Sequence, residues 1–135
     1  DGLSPNAITD KDHLFPIMSK LKDSFAKSTL RLNETNIVII NGRVRAGYSC
    51  GEYLFGQVGK ARKGIIHIIG ERPGSGHHAY SAYITVAEQD VWNTKSKVDH
   101  NITKVISGIS DTTILPELAA IEILKLCEEL SAKQN

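Results

Sequence analysis

Cysteine is scarce in this chain. Cys50 and Cys127 are the two among 135 residues, and their separation matches no metal-ligand spacing and no disulfide framework. A disulfide-stapled scaffold is thereby excluded, and a reduced intracellular compartment is the simplest expectation. Charge of one sign is also lacking. Sixteen Lys and Arg against fifteen Asp and Glu leave a net charge of +1, too little to recruit nucleic acid or an acidic membrane through a global field. Partners must be recognised locally. No apolar run approaches the roughly 20 residues of a membrane span, and the first residues lack the charged, apolar, small-residue order of a secretory leader. Internal repeats and low-complexity tracts are absent. Hydrophobic residues at 41% and charged residues at 23% are ordinary for a globular domain, and the length suits one core. The chain does not open on methionine. Asp1-Gly2-Leu3-Ser4 reads as a loop of the kind that follows a strand, so a preceding strand is expected upstream.

The most informative segment is Gly64-Ile65-Ile66-His67-Ile68-Ile69-Gly70, followed by Glu71-Arg72-Pro73-Gly74-Ser75-Gly76. An isoleucine-rich run this apolar suits a strand buried on both faces, as in a parallel sheet covered by helices. Ligands of such sheets bind beyond the carboxyl ends of the strands, where this loop would lie. Glycines allow close backbone approach and Pro73 stiffens the turn.

Along the chain, Leu14, Met18, Leu21 and Phe25 recur at helical spacing opposite Lys20, Asp23 and Lys27, with Pro16 in the first turn. Residues 36–40 (Asn-Ile-Val-Ile-Ile) read as a short buried strand closed by a turn at Asn41-Gly42. Ser49 and Glu52 have capping-box spacing and predict a short helix carrying Leu54, Phe55 and Val58, weakened by Gly51 and Gly56. Lys60 to Lys63 form a basic turn, most simply a solvated one, without the interleaved aromatics of a single-stranded nucleic-acid site. Residues 80–86 predict another strand, and 88–100 a polar loop with a turn of helix. Residues 105–109 are ambiguous between strand and helix. Pro116 to about Leu130 is an amphipathic helix, with Ala120, Ile123, Leu124, Cys127 and Leu130 opposite Glu122, Lys125 and Glu129. The order of elements predicts a small Rossmann-like α/β layered domain, a mostly parallel sheet flanked by helices.

Local chemistry taken alone is modest. Glu71 and Arg72 could form a surface ion pair worth under about 1 kcal/mol, and Val44 reads as a half-buried loop residue. Adjacent histidines such as His77 and His78 point to opposite sides of an extended segment, which disfavours a metal site. A triad of Ser75, His77 and Asp90 lacks a nucleophile elbow. No helix follows Gly74-Ser75-Gly76, so the dinucleotide fingerprint is incomplete.

Taken together, the motifs converge. Asp1-Gly2-Leu3-Ser4 with Ala7-Ile8, Gly42-Arg43-Val44, Gly51-Glu52 and Gly70-Glu71-Arg72-Pro73-Gly74 resemble the small subunit of ethanolamine ammonia-lyase. So do Ser81 and Tyr83 after the loop, and Ile106-Ser107 with Ile109 before the last helix. Any one motif is weak, but order and approximate spacing agree along nearly the whole chain.

The resemblance implies the carboxyl-terminal α/β domain of that subunit, residues 1–135 forming one cobalamin-contacting unit without the family's amino-terminal segment and first strand. It implies a partner, the large catalytic subunit, and a cofactor, adenosylcobalamin, in the conversion of ethanolamine to acetaldehyde and ammonia. The small subunit would close over the cofactor and supply no catalytic residue. Val44 and Glu71 match family cobalamin contacts, and a third falls on a family cysteine that is Val105 here. Gly108, where the family usually has asparagine, and the extra residues around Lys60 to Lys63 are further departures. Bacterial cytoplasm, within a protein-shelled microcompartment, is the implied location. Two other readings remain beside this one: a free-standing module binding a nucleotide or phosphorylated ligand at the strand ends, and a structural subunit that touches no cofactor.

Overall fold

The computed structural model describes residues 4–57, 59–71, 79–94 and 102–132. Five helices and three strands occur among them: α1 (Pro5–Thr9), α2 (Leu14–Ala26), α3 (Ala46–Phe55), β1 (Lys63–Gly70), β2 (Tyr80–Ala87), α4 (Gln89–Trp92), β3 (Thr103–Ile109) and α5 (Pro116–Ala132). The strands form one sheet in the order β1-β2-β3, and both pairings are antiparallel.

The expected parallel Rossmann-like sheet is therefore not what these residues build. A parallel pair needs a crossover of a dozen or more residues, normally carrying a helix. The connection from Glu71 to Ala79 is shorter than that, and among the described residues the one after β2 carries the single turn of α4. Both returns suit antiparallel neighbours.

Period-two alternation divides the sheet into two chemically different faces. On one, Ile66, Ile68, Tyr80, Ala82, Ile84, Val86, Ile106 and Ile109 meet Ile17, Leu21 and Phe25 of α2 and Ala119, Ala120, Ile123, Cys127 and Leu130 of α5. That is the core. Each large side chain removed from water there contributes on the order of 1.5–3 kcal/mol. The α2 stripe runs through Ile17, Leu21 and Phe25, with Met18 at its margin; the α5 stripe follows the predicted one. Tyr80 donates its hydroxyl to the His13 carbonyl at 3.1 Å, and the His13 ring donates from Nδ1 to the Ala7 carbonyl at 2.8 Å. These bonds tie the first turns of the chain to the sheet.

Three local expectations are corrected. Residues 36–40 are not a strand: Val38 and Ile40 are 85% and 83% exposed and the segment has no ladder. Its composition is right for a strand, but a strand exists only where a neighbour accepts its backbone hydrogen bonds, and none of the described strands lies along it. β1 is not buried on both faces. It pairs only with β2 among the described residues, and burial is complete only at Ile69 and Gly70. The third helix starts at Ala46, with Arg45 at its N-cap and no capping bond from a side chain, so Ser49 and Glu52 lie inside it and are not its cap. The ambiguous 105–109 segment is β3, and Val58 lies outside the described residues.

The opposite face is lined by Ile65, His67 and Ile69 of β1, Ser81, Tyr83 and Thr85 of β2, and Thr103 and Val105 of β3. The α3 helix leans on it through two glycines. A Cβ on Gly47 would lie 2.8 Å from His67 Cβ, and one on Gly51 would lie 2.2 Å from the Trp92 ring. Trp92 closes the far end of the β1–β2 ladder, its Nε1 donating to the Lys63 and Ala87 carbonyls at 3.1 Å each. Arg62, expected in a solvated turn, instead donates to the Ser131 carbonyl and to Glu88, joining the start of β1 to the end of α5.

Candidate functional site

Glu71 follows directly on β1, and its backbone is closed by a 3.0 Å bond from its N–H to the Ala79 carbonyl. Its side chain bends back over the sheet. One carboxylate oxygen, Oε1, accepts from Ser81 Oγ and from the Gly108 N–H, both at 2.7 Å. Hydrogen bonds to a carboxylate are among the stronger ones available to a protein, each about 1.5–3 kcal/mol where shielded from water. The carboxylate is thus fixed over β2 and β3 before any ligand arrives.

Gly108 can serve as donor because β3 is irregular there. The β2–β3 register shifts between Tyr80 and Ala82, and Gly108 has φ +72°, a conformation tolerated by glycine and, next best, asparagine. The bulge turns its N–H out of the ladder and toward Glu71. Its carbonyl accepts from Ile114 N and Thr113 Oγ1, and Ser110 Oγ lies 2.6 Å from Thr113 Oγ1, so the turn is held from behind. The departure at Gly108 expected from the resemblance thus falls where glycine or asparagine would each adopt the backbone.

Next to Ser81 on the same face stands Tyr83, directly opposite His67 on β1 and Val105 on β3. Burial pushes the Tyr83 hydroxyl above its ordinary pKa, and neighbouring Tyr48 and Glu71 add to the shift. Tyr48 thus marks where α3 reaches the same ground; the Arg45 guanidinium sits 5.1 Å over its ring. Val44 lies in the turn just ahead of α3, within one helical turn of Tyr48, and is 43% exposed. Val105 is 46% exposed. The fold therefore gathers Glu71 and Val105 on one face with Tyr83 between them, while Val44 stands at the entry to the helix laid across that face. Among the described residues this face is apolar at the two valines and polar at Glu71.

His67 and Tyr48 escaped the reading of the sequence. His67 Nδ1 is buried under α3 with no hydrogen-bond partner among the described residues, and burial holds the ring below its ordinary pKa. Alternation along β1 puts His67 two residues from Ile69, but only the strand register puts it beside Tyr83. Arg72, Pro73, Gly74, Ser75, Gly76, His77 and His78 lie outside the described residues, so the ion pair, metal and triad readings placed on them rest on sequence alone. Asp90 caps the N–H of Val91 at the end of β2 remote from Glu71.

The family model of the ethanolamine ammonia-lyase light chain (EutC) matches residues 1–135, the whole length. The chain belongs to that family. No curated protein matches it. As a light chain of an ammonia-lyase it is one component of a hetero-oligomeric enzyme. No helix among the described residues of this light chain is long and apolar enough to cross a membrane.

Proposed function

We propose that this light chain covers adenosylcobalamin at its interface with the catalytic large subunit of an ethanolamine ammonia-lyase, through Val44, Glu71 and Val105. The observation that carries the reading is the Glu71 carboxylate, held by two 2.7 Å bonds on the same sheet face as the half-exposed Val105. These residues fit the cofactor's periphery, which alternates apolar ring edge with amide side chains. A carboxylate accepts hydrogen bonds from amide N–H groups, and valines offer apolar surface without competing for them. A half-exposed face carrying a prepositioned carboxylate is consistent with one half of a shared site.

Adenosylcobalamin, when bound, supplies the radical that takes hydrogen from ethanolamine on the way to acetaldehyde and ammonia. The light chain's share is grip, orientation and exclusion of water. Glu71 holds its ligand without reorganising, because its Oε1 partners are already in place. Val44 and Val105 are covered on assembly, and α3 brings Val44 to the edge of the face. Val105 stands where the family has cysteine, so contact there is apolar, with no thiol role. No group of this chain takes part in bond making, and the chain is inert alone. The bacterial cytoplasm, within an ethanolamine-utilising microcompartment, is the setting this reading implies.

Co-expression with a cognate large subunit tests it. The expected result is a stable complex that releases acetaldehyde only with cobalamin present. Failure to form any complex would remove the reading.

A further inference from the structure

A ligand that touches both Glu71 and Val105 lies beside Tyr83. Glu71 Oε1 is bonded to Ser81 Oγ, which fixes the carboxylate at the Ser81 level of β2. Tyr83 is the next residue on that face of the same strand, and Val105 is its direct partner on β3. Neighbouring strands lie about 4.8 Å apart and same-face residues on one strand about 6.6 Å apart. Glu71, Tyr83 and Val105 therefore form one continuous patch, with a half-buried phenol at its centre.

Chemistry separates Tyr83 from its neighbours. A carboxylate only accepts, and valine does neither, whereas a primary amide offers two donors and an acceptor. Glu71 can serve the N–H end of a cofactor amide, and the C=O end still needs a donor. On this patch Ser81 Oγ is already given to Glu71; the Tyr83 O–H and the exposed Ser107 hydroxyl on β3 are donors, and Tyr83 alone joins its donor to a ring that can back a large apolar ligand. We propose that Tyr83 is a further contact of the ligand that Glu71 and Val105 hold, its hydroxyl donating to a carbonyl or phosphate oxygen at the periphery of cobalamin and its ring backing the macrocycle or its side chains. The inference rests on the cobalamin-covering reading and assigns a donor that this reading lacks. Burial, Tyr48 and Glu71 all favour the protonated phenol, so the donor persists throughout the physiological range. The backing is rigid as well: His67 lies opposite with its ring centroid 6.1 Å from that of Tyr83, and Gly47 pins His67 from above.

The test uses the assembled complex with a cognate large subunit and cyanocobalamin as the probe, with binding followed by absorbance and equilibrium dialysis. Tyr83→Phe keeps the ring and removes the donor; it should weaken cobalamin binding about fivefold, the loss of one hydrogen bond near 1 kcal/mol. Its complex without cobalamin should melt at the wild-type temperature. Tyr83→Ala should weaken binding further, and if it fails to assemble, Tyr83→Phe decides. Glu71→Gln and Val105→Asp are the controls for the underlying reading. Weakened binding in the controls with wild-type binding in Tyr83→Phe overturns this inference and leaves that reading standing. Wild-type binding in every variant overturns both.

Discussion

Substituting Gly51 by alanine separates tertiary from local reasoning by the sign of its effect. Helix propensity alone makes Gly51→Ala stabilising by about 0.8–1 kcal/mol, because glycine in a helix interior is entropically costly. The structure predicts the reverse. The new Cβ would lie 2.2 Å from Trp92 Cζ3, 2.6 Å from Cη2 and 2.7 Å from Cε3, against about 3.5–4 Å for comfortable carbon contact. Trp92 cannot swing away cheaply. Its Nε1 is shared between the Lys63 and Ala87 carbonyls, and Phe55 packs edge-on at 5.5 Å. The helix must therefore lift by more than 1 Å, and overpacking of this kind costs roughly 1–3 kcal/mol or somewhat more. Because the 2.2 Å approach is far inside contact distance, the cost falls at the upper end of that range, about 3 kcal/mol, and the expected net loss against the propensity gain is about 2 kcal/mol. Urea unfolding followed by Trp92 fluorescence measures it directly. A midpoint equal to or above that of the parent chain would refute the packing argument. Because α3 carries Tyr48 and follows Val44, the variant should also weaken cobalamin binding in the assembled enzyme without touching a proposed contact.

Three further expectations follow from the same geometry. Glu71→Ala removes the acceptor for Ser81 Oγ and Gly108 N, and should cost about 2–3 kcal/mol in chemical unfolding after allowance for partial exposure; Glu71→Gln, which keeps an oxygen, should cost about 1 kcal/mol or less. Equal effects of the two would mean the bonds to Ser81 and Gly108 contribute little. Burial lowers the His67 pKa below its ordinary 6.5, so in acid the unfolded chain binds a proton that the native chain resists. Stability attributable to this residue is present above pH 6.5 and is lost as pH falls below it. His67→Phe should flatten that part of the pH–stability curve, and an unchanged slope would contradict the assignment. The Cys127 thiol is pushed up to about 12 from 9.0, first by burial and then by Glu128. The native chain then keeps a proton the unfolded one gives up, so stability should decline as pH rises from 9 toward 12. A thiol reagent should leave Cys127 unmodified until the chain unfolds, and rapid native modification would show that α5 opens readily.

Much of this molecule could be read from its residues in order. Helices α2 and α5 declare themselves through stripes with the 3.6-residue period, and β1 and β2 through β-branched runs that glycines and charged residues interrupt. These are local signals, set by which side chains can share one face of one element. The motifs carrying the family resemblance were legible for the same reason: each is a short stretch fixed by turn chemistry and in a constant order. What local signals cannot give is partnership. Residues 36–40 have the composition of a strand and lie exposed, because a ladder depends on a neighbour and the segment has none among the described strands. The sheet's direction was decided by the short return from Glu71 to Ala79. No local pattern shows that Gly51 is a contact surface for Trp92, 41 positions further on, and not simply a weak spot in a helix. Nor does any local pattern bring Glu71, Tyr83 and Val105 together: they come from two different strands and the residue following a third, and only the antiparallel register sets them side by side. The amino-acid order determined the elements and the family, through interactions spanning a few residues. The tertiary structure decided which faces meet, because packing and backbone pairing act between residues that the chain itself keeps far apart.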